Sequence, residues 1–289
     1  MQLVLKDIID KHRDSACFIA CHGPSLNKHK KELVSARQRG DILRFSVNNW
    51  WDYFESPPDY WVLSSSEHAF TIRKVLPILK KTKVPIFYSD DGDFTPKSFI
   101  RDNLESDWLV YDQRHWEGKK CIEILSDFKK HYEENNNFNF TKYGNNEIMW
   151  HPPRCYSKSG HSLDGRCCKQ NTPPRMPVQE ELQRLTKTKQ HYSTGDTVAL
   201  HTIAFAILMG CNPIYVTGMD LDYSKGYANP DKTDWKSKAE GPNAWAPIHK
   251  NLQNDIKILN ESAKNRGIDI INLNKESWYK EFKIGELGI

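Results

Sequence analysis

Short apolar runs alternate with helix-forming stretches at both ends of this chain. Residues 16–21 predict a buried strand, and the Lys- and Glu-rich stretch 27–37 that follows predicts a helix. The rhythm continues with predicted strands at 42–47, 60–63 and 84–88 and a predicted helix at 69–80. Strands that alternate with helices form parallel sheets, so we expect an α/β fold with a Rossmann-like, doubly wound, mainly parallel sheet.

The same alternation returns near the end of the chain. Residues 195–209 are almost continuously apolar and stop at Gly210, which predicts a buried helix. Strands are predicted at 213–217 and 268–273. Between them, apolar positions repeat at helical spacing from His249 onward, at Leu252, Ile256, Leu259 and Ala263.

We expect a single catalytic domain over residues 1–289. A chain of this length buries a sufficient core without disulfides or metals. Segment 135–189 is rich in Asn and Pro and lacks periodic apolar positions, which predicts an inserted loop, a lid or an acceptor-binding element, with simple disorder as the alternative.

Composition indicates a soluble, cytoplasmic protein. The seven cysteines form an odd, scattered set, typical of reduced thiols. No apolar window of about 18 residues indicates a membrane span, and the N-terminus lacks the pattern of a signal segment.

Positive charge is concentrated in segment 151–176. The chain carries a formal charge of only +4, but this segment has five basic residues against the single acid Asp164. Such a patch can meet nucleotide phosphates or a nucleic-acid backbone, or it can be a solvated loop. Its candidate acceptor-binding residues are Arg154, Lys158 and Arg166.

Polar turns follow the first two predicted strands. Ligands bind at the carboxyl edge of open parallel sheets, and glycine lets backbone amides approach a phosphate. The second turn offers two side-chain amides that can read a base or a ribose. Ordinary strand-to-helix punctuation is the alternative, and neither a dinucleotide-binding glycine pattern nor a Walker A loop is present. The candidate donor-binding residues are His22, Gly23, Pro24, Ser25, Asn48 and Asn49.

The start of the apolar helix is a further candidate site. Ser193 or Thr194 can cap this helix, and the free amides after Gly195 then form an anion site. Plain capping needs the same residues.

Acidic and aromatic residues follow the strand at 213–217. Asp220 and Asp222 have the Asp-x-Asp spacing that can hold Mg²⁺ or Mn²⁺ across a diphosphate. Tyr223 and Tyr227 can instead hydrogen-bond a leaving phosphate without metal. His249, at the start of the last long helix, can take a proton from an acceptor hydroxyl near neutral pH, or it can be satisfied by backbone groups.

Four stretches in this order resemble the single-domain bacterial sialyltransferases. They are also similar to the wider group that contains the motility-associated-factor transferases and the archaeal hydroxymethylpterin diphosphokinase. The stretches are CFIACHGPSL, FSVNNWWDYF, STGDTVALHTIAFAILMGCNPIYVTGMDLDY with SKGYA, and HKNLQNDIKIL. They cover about half of the chain, at its two ends.

The resemblance implies a modified Rossmann-like fold, a GT-A-like variant. It also implies sugar transfer from a nucleotide-linked donor to a hydroxyl acceptor, with no required cofactor. The Asp-x-Asp pair leaves a UDP-linked donor open beside a CMP-linked one, and the basic segment 151–176 leaves a hydroxymethylated base in DNA open beside a glycan as the acceptor. The roles it implies are donor-phosphate contacts from Gly23, Pro24 and Ser25, a nucleotide contact from Asn48, donor contacts from Ser193, Thr194 and Gly195, support of the leaving phosphate by Tyr223 and Tyr227, and proton removal by His249.

The chain departs from the family pattern in its first turn. His22 stands where the family has asparagine, and the arginine before the Ser/Thr-Gly turn is replaced near His191. The expectation therefore concerns the reaction class and not the sugar. Two alternatives stay open: an ATP-dependent diphosphokinase with Mg²⁺ on Asp220 and Asp222, and a binding module without catalysis.

Overall fold

The computed structural model describes residues 1, 3–63, 77–78, 80–89, 105–111, 177–188, 197–221, 228–229, 246–277 and 279–288. Within these residues the strands are β1 (Cys17–Ala20), β2 (Leu43–Val47), β3 (Tyr60–Leu63), β4 (Ile86–Ser89), β5 (Trp108–Tyr111), β6 (Ile214–Thr217), β7 (Ile270–Asn272) and β8 (Lys283–Ile284). The α-helices are α1 (Leu26–Gln38), α2 (Pro177–Thr186), α3 (Val198–Leu208) and α4 (Ala246–Lys264). Short 3₁₀ turns occupy Leu5–Asp7 and Trp50–Asp52.

The strands form one sheet in the order β5-β4-β3-β2-β1-β6-β7-β8. Each neighbouring pair in this order is parallel. The predicted α/β class with a doubly wound parallel sheet is confirmed.

The sheet is buried on both faces, which explains its continuously apolar strands. On one face, Cys17 and Ile19 of β1 join a core with α3, which is buried along its length. On the other face, Phe18 and Ala20 join a second core with Leu33 of α1 and several aromatic side chains. This alternation follows from the two-residue period of a strand.

The strand order reverses between β1 and β6. From β1 the chain proceeds outward to β5, and from β6 it proceeds outward in the other direction to β8. Ala20 pairs with Thr217 at the carboxyl ends of these two strands. The loops 21–25 and 218–221 therefore leave the sheet side by side, at the topological switch point where ligands bind in open α/β sheets.

Two expectations about helices are wrong in part. The apolar helix begins at Val198, three residues later than the predicted start at 195. Segment 135–189 is not a loop throughout, because residues Pro177–Thr186 form α2 and Leu182 packs into the α3 core with 3% of its surface exposed. The predicted helix at 69–80 falls mostly outside the described residues.

In the part of the chain that the structure describes, no helix is both long and apolar enough to cross a membrane. Cys17, Cys21 and Cys211 are buried free thiols.

Candidate functional site

Asp220 joins the two loops of the switch point. Its Oδ2 accepts a hydrogen bond from the Ser25 N–H at 2.9 Å, and its Oδ1 accepts from the Ser25 hydroxyl. The Ser25 Oγ in turn accepts from the Gly218 N–H at 2.9 Å. Asp220 is only 7% exposed and Ser25 3%. The two residues therefore fasten the turn after β1 to the loop after β6.

Gly23 allows these loops to approach each other. Its N–H donates to the Gly218 carbonyl at 2.7 Å. A Cβ at Gly23 would lie 2.6 Å from both the Asp220 Oδ2 and the Gly218 carbonyl oxygen. The close approach that glycine permits here is therefore between two protein loops.

A third loop contributes Asn274, which follows β7. Its Nδ2 donates to the Asp220 Oδ1 at 2.8 Å. Its Oδ1 accepts from the Glu276 N–H at 3.1 Å, which fixes the orientation of the amide. Sequence reasoning missed this residue, although Asn272 and Asn274 at the end of a predicted strand repeat the pattern that selected Asn48 and Asn49.

The amides at the start of α1 are occupied. The N–H groups of Leu26, Asn27 and Lys28 donate to the carbonyls of Gly23, Pro24 and Ser25 at 3.0 to 3.1 Å. Since the Gly23 and Ser25 amides are also donated within the protein and proline has none, the turn from 23 to 28 offers no free N–H to a phosphate. The expectation of a phosphate cradle formed by these amides is wrong for this structure.

His22 lies at the same edge, directly after β1. Its ring stacks on Tyr53 with centroids 4.2 Å apart and 18° between planes. Desolvation lowers the pKa of His22 to about 4, while a hydrogen bond to the Val47 carbonyl and the charge of Asp52 act in the opposite direction. The imidazole is therefore neutral at pH 7. Its Nε2 is buried and has no hydrogen-bond partner among the described residues.

The asparagines after β2 serve different purposes. Asn48 has a left-handed backbone (φ 39°), a conformation that asparagine tolerates better than most residues, and its N–H donates to the Val62 carbonyl at 2.9 Å. The Asn49 amide donates to the Asp52 carboxylate at 2.6 Å. The Asn49 side chain therefore stabilises the local turn.

The aromatic residues after Asn49 belong mainly to the core. Trp50, Tyr53 and Phe54 are each 6% exposed. Tyr53 also reaches the site through its stacking on His22.

Three helices begin at this edge of the sheet. In parallel βαβ units, α1 and α4 start where β1 and β6 end, and α3, which precedes β6, has the same direction. Their N-termini carry the positive ends of the helix dipoles, which favours anions. The cap of α3 is Thr197, whose side chain accepts from the Leu200 N–H at 3.4 Å. The predicted caps, Ser193 and Thr194, are therefore wrong.

His249 belongs to the first turn of α4, which begins at Ala246, but its side chain lies outside the described residues. The other candidates outside them are Ser193, Thr194, Gly195, Asp222, Tyr223, Tyr227, Arg154, Lys158 and Arg166.

The residues that flank segment 222–227 are attached at the site. The Ala228 N–H donates to the His22 carbonyl at 2.8 Å, and the Asn27 amide donates to the Ala228 carbonyl at 2.7 Å. At the other end, Leu221 directly follows Asp220, whose carboxylate is hydrogen-bonded to Ser25. Both ends of the segment that contains Tyr223 and Tyr227 are thus held at the switch point.

No protein-family model matches this chain. A search of curated proteins also gave no match. Among solved structures, the chain is similar to the sialyltransferase CstII from Campylobacter jejuni in complex with CMP-3FNeuAc, with a TM-score of 0.43, 19% identity, and coverage of 93% of this chain and 85% of the other. The chain is also similar to a CST-II variant in complex with CMP. The TM-score is 0.40 and the identity 19%, with 91% of this chain and 83% of the other covered.

An apo α-2,3-sialyltransferase from Campylobacter jejuni gives a TM-score of 0.39 and 15% identity, with 94% of this chain and 79% of the other covered. At these scores and identities, the similarity by itself assigns no function to this chain.

Proposed function

We propose that this chain is a glycosyltransferase that moves a sugar from a CMP- or UDP-linked donor to a hydroxyl acceptor. The observation that carries the proposal is the meeting of loops 21–25, 48–49, 218–221 and 272–274 at the carboxyl edge beside the β1/β6 switch point. Ligands of open α/β sheets bind there. The four sequence stretches that resemble sialyltransferases, in the same order, support the reaction class.

The proposed mechanism is a direct displacement at the anomeric carbon. His249 removes the proton of the acceptor hydroxyl while the new bond from that oxygen to the anomeric carbon forms. The bond from the anomeric carbon to the donor phosphate breaks, and the nucleotide leaves with its electron pair. Tyr223, Tyr227 and the residues before α3, Ser193 to Gly195, hydrogen-bond the departing phosphate.

The occupied amides of the first turn support this division of roles. Because residues 23–28 donate their N–H groups within the protein, the phosphate needs donors from elsewhere. The positive helix ends of α3 and α4 open on the same edge, which supports phosphate contacts from that side. In this proposal Gly23 and Ser25 shape the donor site, and His22 and Asn48 face the nucleoside.

Asp220 is proposed to position loops and not to bind metal. Both of its carboxylate oxygens already accept hydrogen bonds from Ser25 and Asn274. A divalent cation on Asp220 and Asp222 would have to displace these donors. We therefore expect sugar transfer to continue in EDTA.

A thermal-shift panel tests the donor. CMP, UDP, GDP, ADP and ATP are each added with EDTA and with Mg²⁺ or Mn²⁺. A ligand that binds only the folded state stabilises it by about 2.7 kcal/mol at a hundred times its Kd. Stabilisation by CMP or UDP in EDTA is expected. A response to ATP and Mg²⁺ alone would contradict the proposal and favour the diphosphokinase.

The variant His249→Ala tests the base. It should lose sugar transfer from the matching CMP- or UDP-sugar by about 100-fold or more, because general base catalysis contributes about 10²- to 10⁴-fold. Stabilisation by the free nucleotide should be unchanged. Turnover at the wild-type rate would show that His249 is not the base.

A further inference from the structure

We infer that Asn27 and Asn229 are positioning residues for sugar transfer. Their side-chain amides hold Ala228, the residue that follows Tyr227 in the chain, against the turns after β1 and β2. The inference rests on the proposed function, in which Tyr227 supports the departing phosphate. It adds two residues that act on the reaction through the backbone and not through the donor or the acceptor.

One peptide unit in the turn after β1 binds both ends of the loop that follows β6. The Gly23 N–H donates to the Gly218 carbonyl at 2.7 Å, and the His22 carbonyl accepts from the Ala228 N–H at 2.8 Å. The peptide bond between His22 and Gly23 is trans, so its N–H and C=O groups point in opposite directions. Gly218 and Ala228 therefore lie on opposite sides of this turn, and residues 219–227 connect the two sides.

Two asparagine amides hold the second end of this loop. Asn27, in the first turn of α1, donates from its Nδ2 to the Ala228 carbonyl at 2.7 Å. Asn229 donates from its Nδ2 to the Asp52 carbonyl at 3.1 Å, at the end of the 3₁₀ turn after β2. With the His22 carbonyl, three separate elements hold residues 228 and 229.

Packing adds to these hydrogen bonds. Ala228 is 7% exposed and belongs to the core on the α1 face of the sheet. Consecutive Cα atoms are about 3.8 Å apart, so a fixed Ala228 also fixes where Tyr227 leaves the chain. A shift of about 1 Å at a reacting centre can cost about 100-fold in rate, even when the substituted residue is distant. The asparagines can therefore affect turnover without a contact to the substrate.

The side chain of Asn27 offers a test that separates position from stability. Asn27→Asp keeps the shape of the side chain but has no N–H to donate to the Ala228 carbonyl. An acidic residue in the first turn of a helix is favoured by the helix dipole, so the melting temperature of this variant should not fall. Asn229→Ala removes the second amide. Lys31→Ala, at an exposed position one turn further along α1, is the matched control.

Hydrogen exchange measures the anchoring directly. The peptide that contains Ala228 should exchange faster in Asn27→Asp and in Asn229→Ala than in the wild type, because the Ala228 N–H is then held less firmly on the His22 carbonyl. The control should exchange like the wild type. An unchanged exchange rate in both variants would overturn the inference, whatever their activity.

Turnover measures the consequence. Release of CMP from CMP-sialic acid, or of UDP from UDP-glucose, is followed with an acceptor present. Asn27→Asp and Asn229→Ala should each lower kcat by about 10- to 100-fold, while the Kd of the free nucleotide stays unchanged. Either change combined with Tyr227→Phe should be no slower than Tyr227→Phe alone, because the asparagines act through Tyr227.

A wild-type kcat in both asparagine variants would overturn the inference, and so would losses that multiply with the loss caused by Tyr227→Phe. Both results leave the glycosyltransferase proposal intact. If the wild type releases nucleotide from neither donor, the proposed function itself fails, and the exchange of the Ala228 peptide still shows whether the asparagines hold the loop. The two failures are therefore distinguishable.

Discussion

Removing the Asp220 carboxylate should unfasten the three loops of the switch point. The variant Asp220→Ala removes the acceptor of the Ser25 hydroxyl, which can rotate to another partner. It leaves two fixed donors, the Ser25 N–H and the Asn274 Nδ2, without acceptors, in a place where Asp220 and Asn274 are each 7% exposed. An unsatisfied buried donor costs about 1 to 3 kcal/mol, so two should cost about 4 kcal/mol. At about 2 °C per kcal/mol for a chain of this size, the melting temperature should fall by roughly 8 °C.

Chemical and thermal denaturation both measure this effect, with Asp269→Ala as a matched control. The Asp269 side chain is 65% exposed and lies 3.9 Å from the Lys283 ammonium. Loss of such an exposed pair should change the free energy of unfolding by less than about 0.5 kcal/mol. The loss in free energy of unfolding for Asp220→Asn should lie between those of Asp220→Ala and the control. Its carboxamide keeps one oxygen acceptor, but its new amino group would face the donors of Ser25 or Asn274.

A fall in melting temperature for Asp220→Ala no larger than that of the control would show that Asp220 does not hold the three loops together. It would mean that Ser25 and Asn274 find other partners and that the carboxylate is free for a ligand. The Asp-x-Asp metal site would then become the better interpretation. Stabilisation of the wild type by Mg²⁺, absent in Asp220→Ala, would support that interpretation directly.

Three further changes test other parts of the structure. Gly23→Ala should lower the free energy of unfolding by about 3 kcal/mol in denaturant titrations, because its Cβ would lie 2.6 Å from two oxygen atoms. Gly40→Ala is the control: its φ is +83° and a Cβ there would meet no atom within 4 Å, so it should lose only about 1 kcal/mol. Thr197→Ala should lower the free energy of unfolding by about 1 kcal/mol, because Thr197 caps α3. An unchanged free energy would contradict this assignment and favour Ser193 or Thr194 as the cap. Burial lowers the pKa of His201 to about 3, so His201 stays neutral in the folded state while the unfolded chain takes up a proton below pH 6.5. The free energy of unfolding should therefore fall by up to about 4 kcal/mol between pH 6.5 and 3, and His201→Gln should flatten that fall; an unchanged pH profile would contradict the assignment.

The sheet was largely predictable because its strands are short apolar runs bounded by turn residues. β1, β2, β3 and β6 lie where the sequence predicts them, and β4 and β7 overlap their predicted runs. The two strands at the edges of the sheet escaped prediction: β5 (Trp108–Tyr111) was missed, and β8 (Lys283–Ile284) is too short to show a period. The start of α3 was misplaced because Ser193, Thr194 and Thr197 are all capable caps, and local sequence does not choose among them.

The site was predictable residue by residue but not as an assembly. His22, Gly23, Ser25 and Asp220 all lie at the switch point, where the sequence placed them as two separate candidates. The bond between Ser25 and Asp220 spans 195 positions and exists only because β1 and β6 are neighbours in the sheet. No local pattern carries that information, and the same reason hid Asn274.

The residues whose spacing looks most like a ligand motif are those whose hydrogen-bonding capacity is already used. Ser25 donates and accepts within the clamp, and both oxygens of Asp220 have protein donors. A group recognises a ligand only with capacity that the protein leaves free, because a bond exchanged for an equal one gains little free energy. By that criterion we expect Ser25 and Asp220 to hold the loops of the switch point in place, and the ligand contacts to come from other residues.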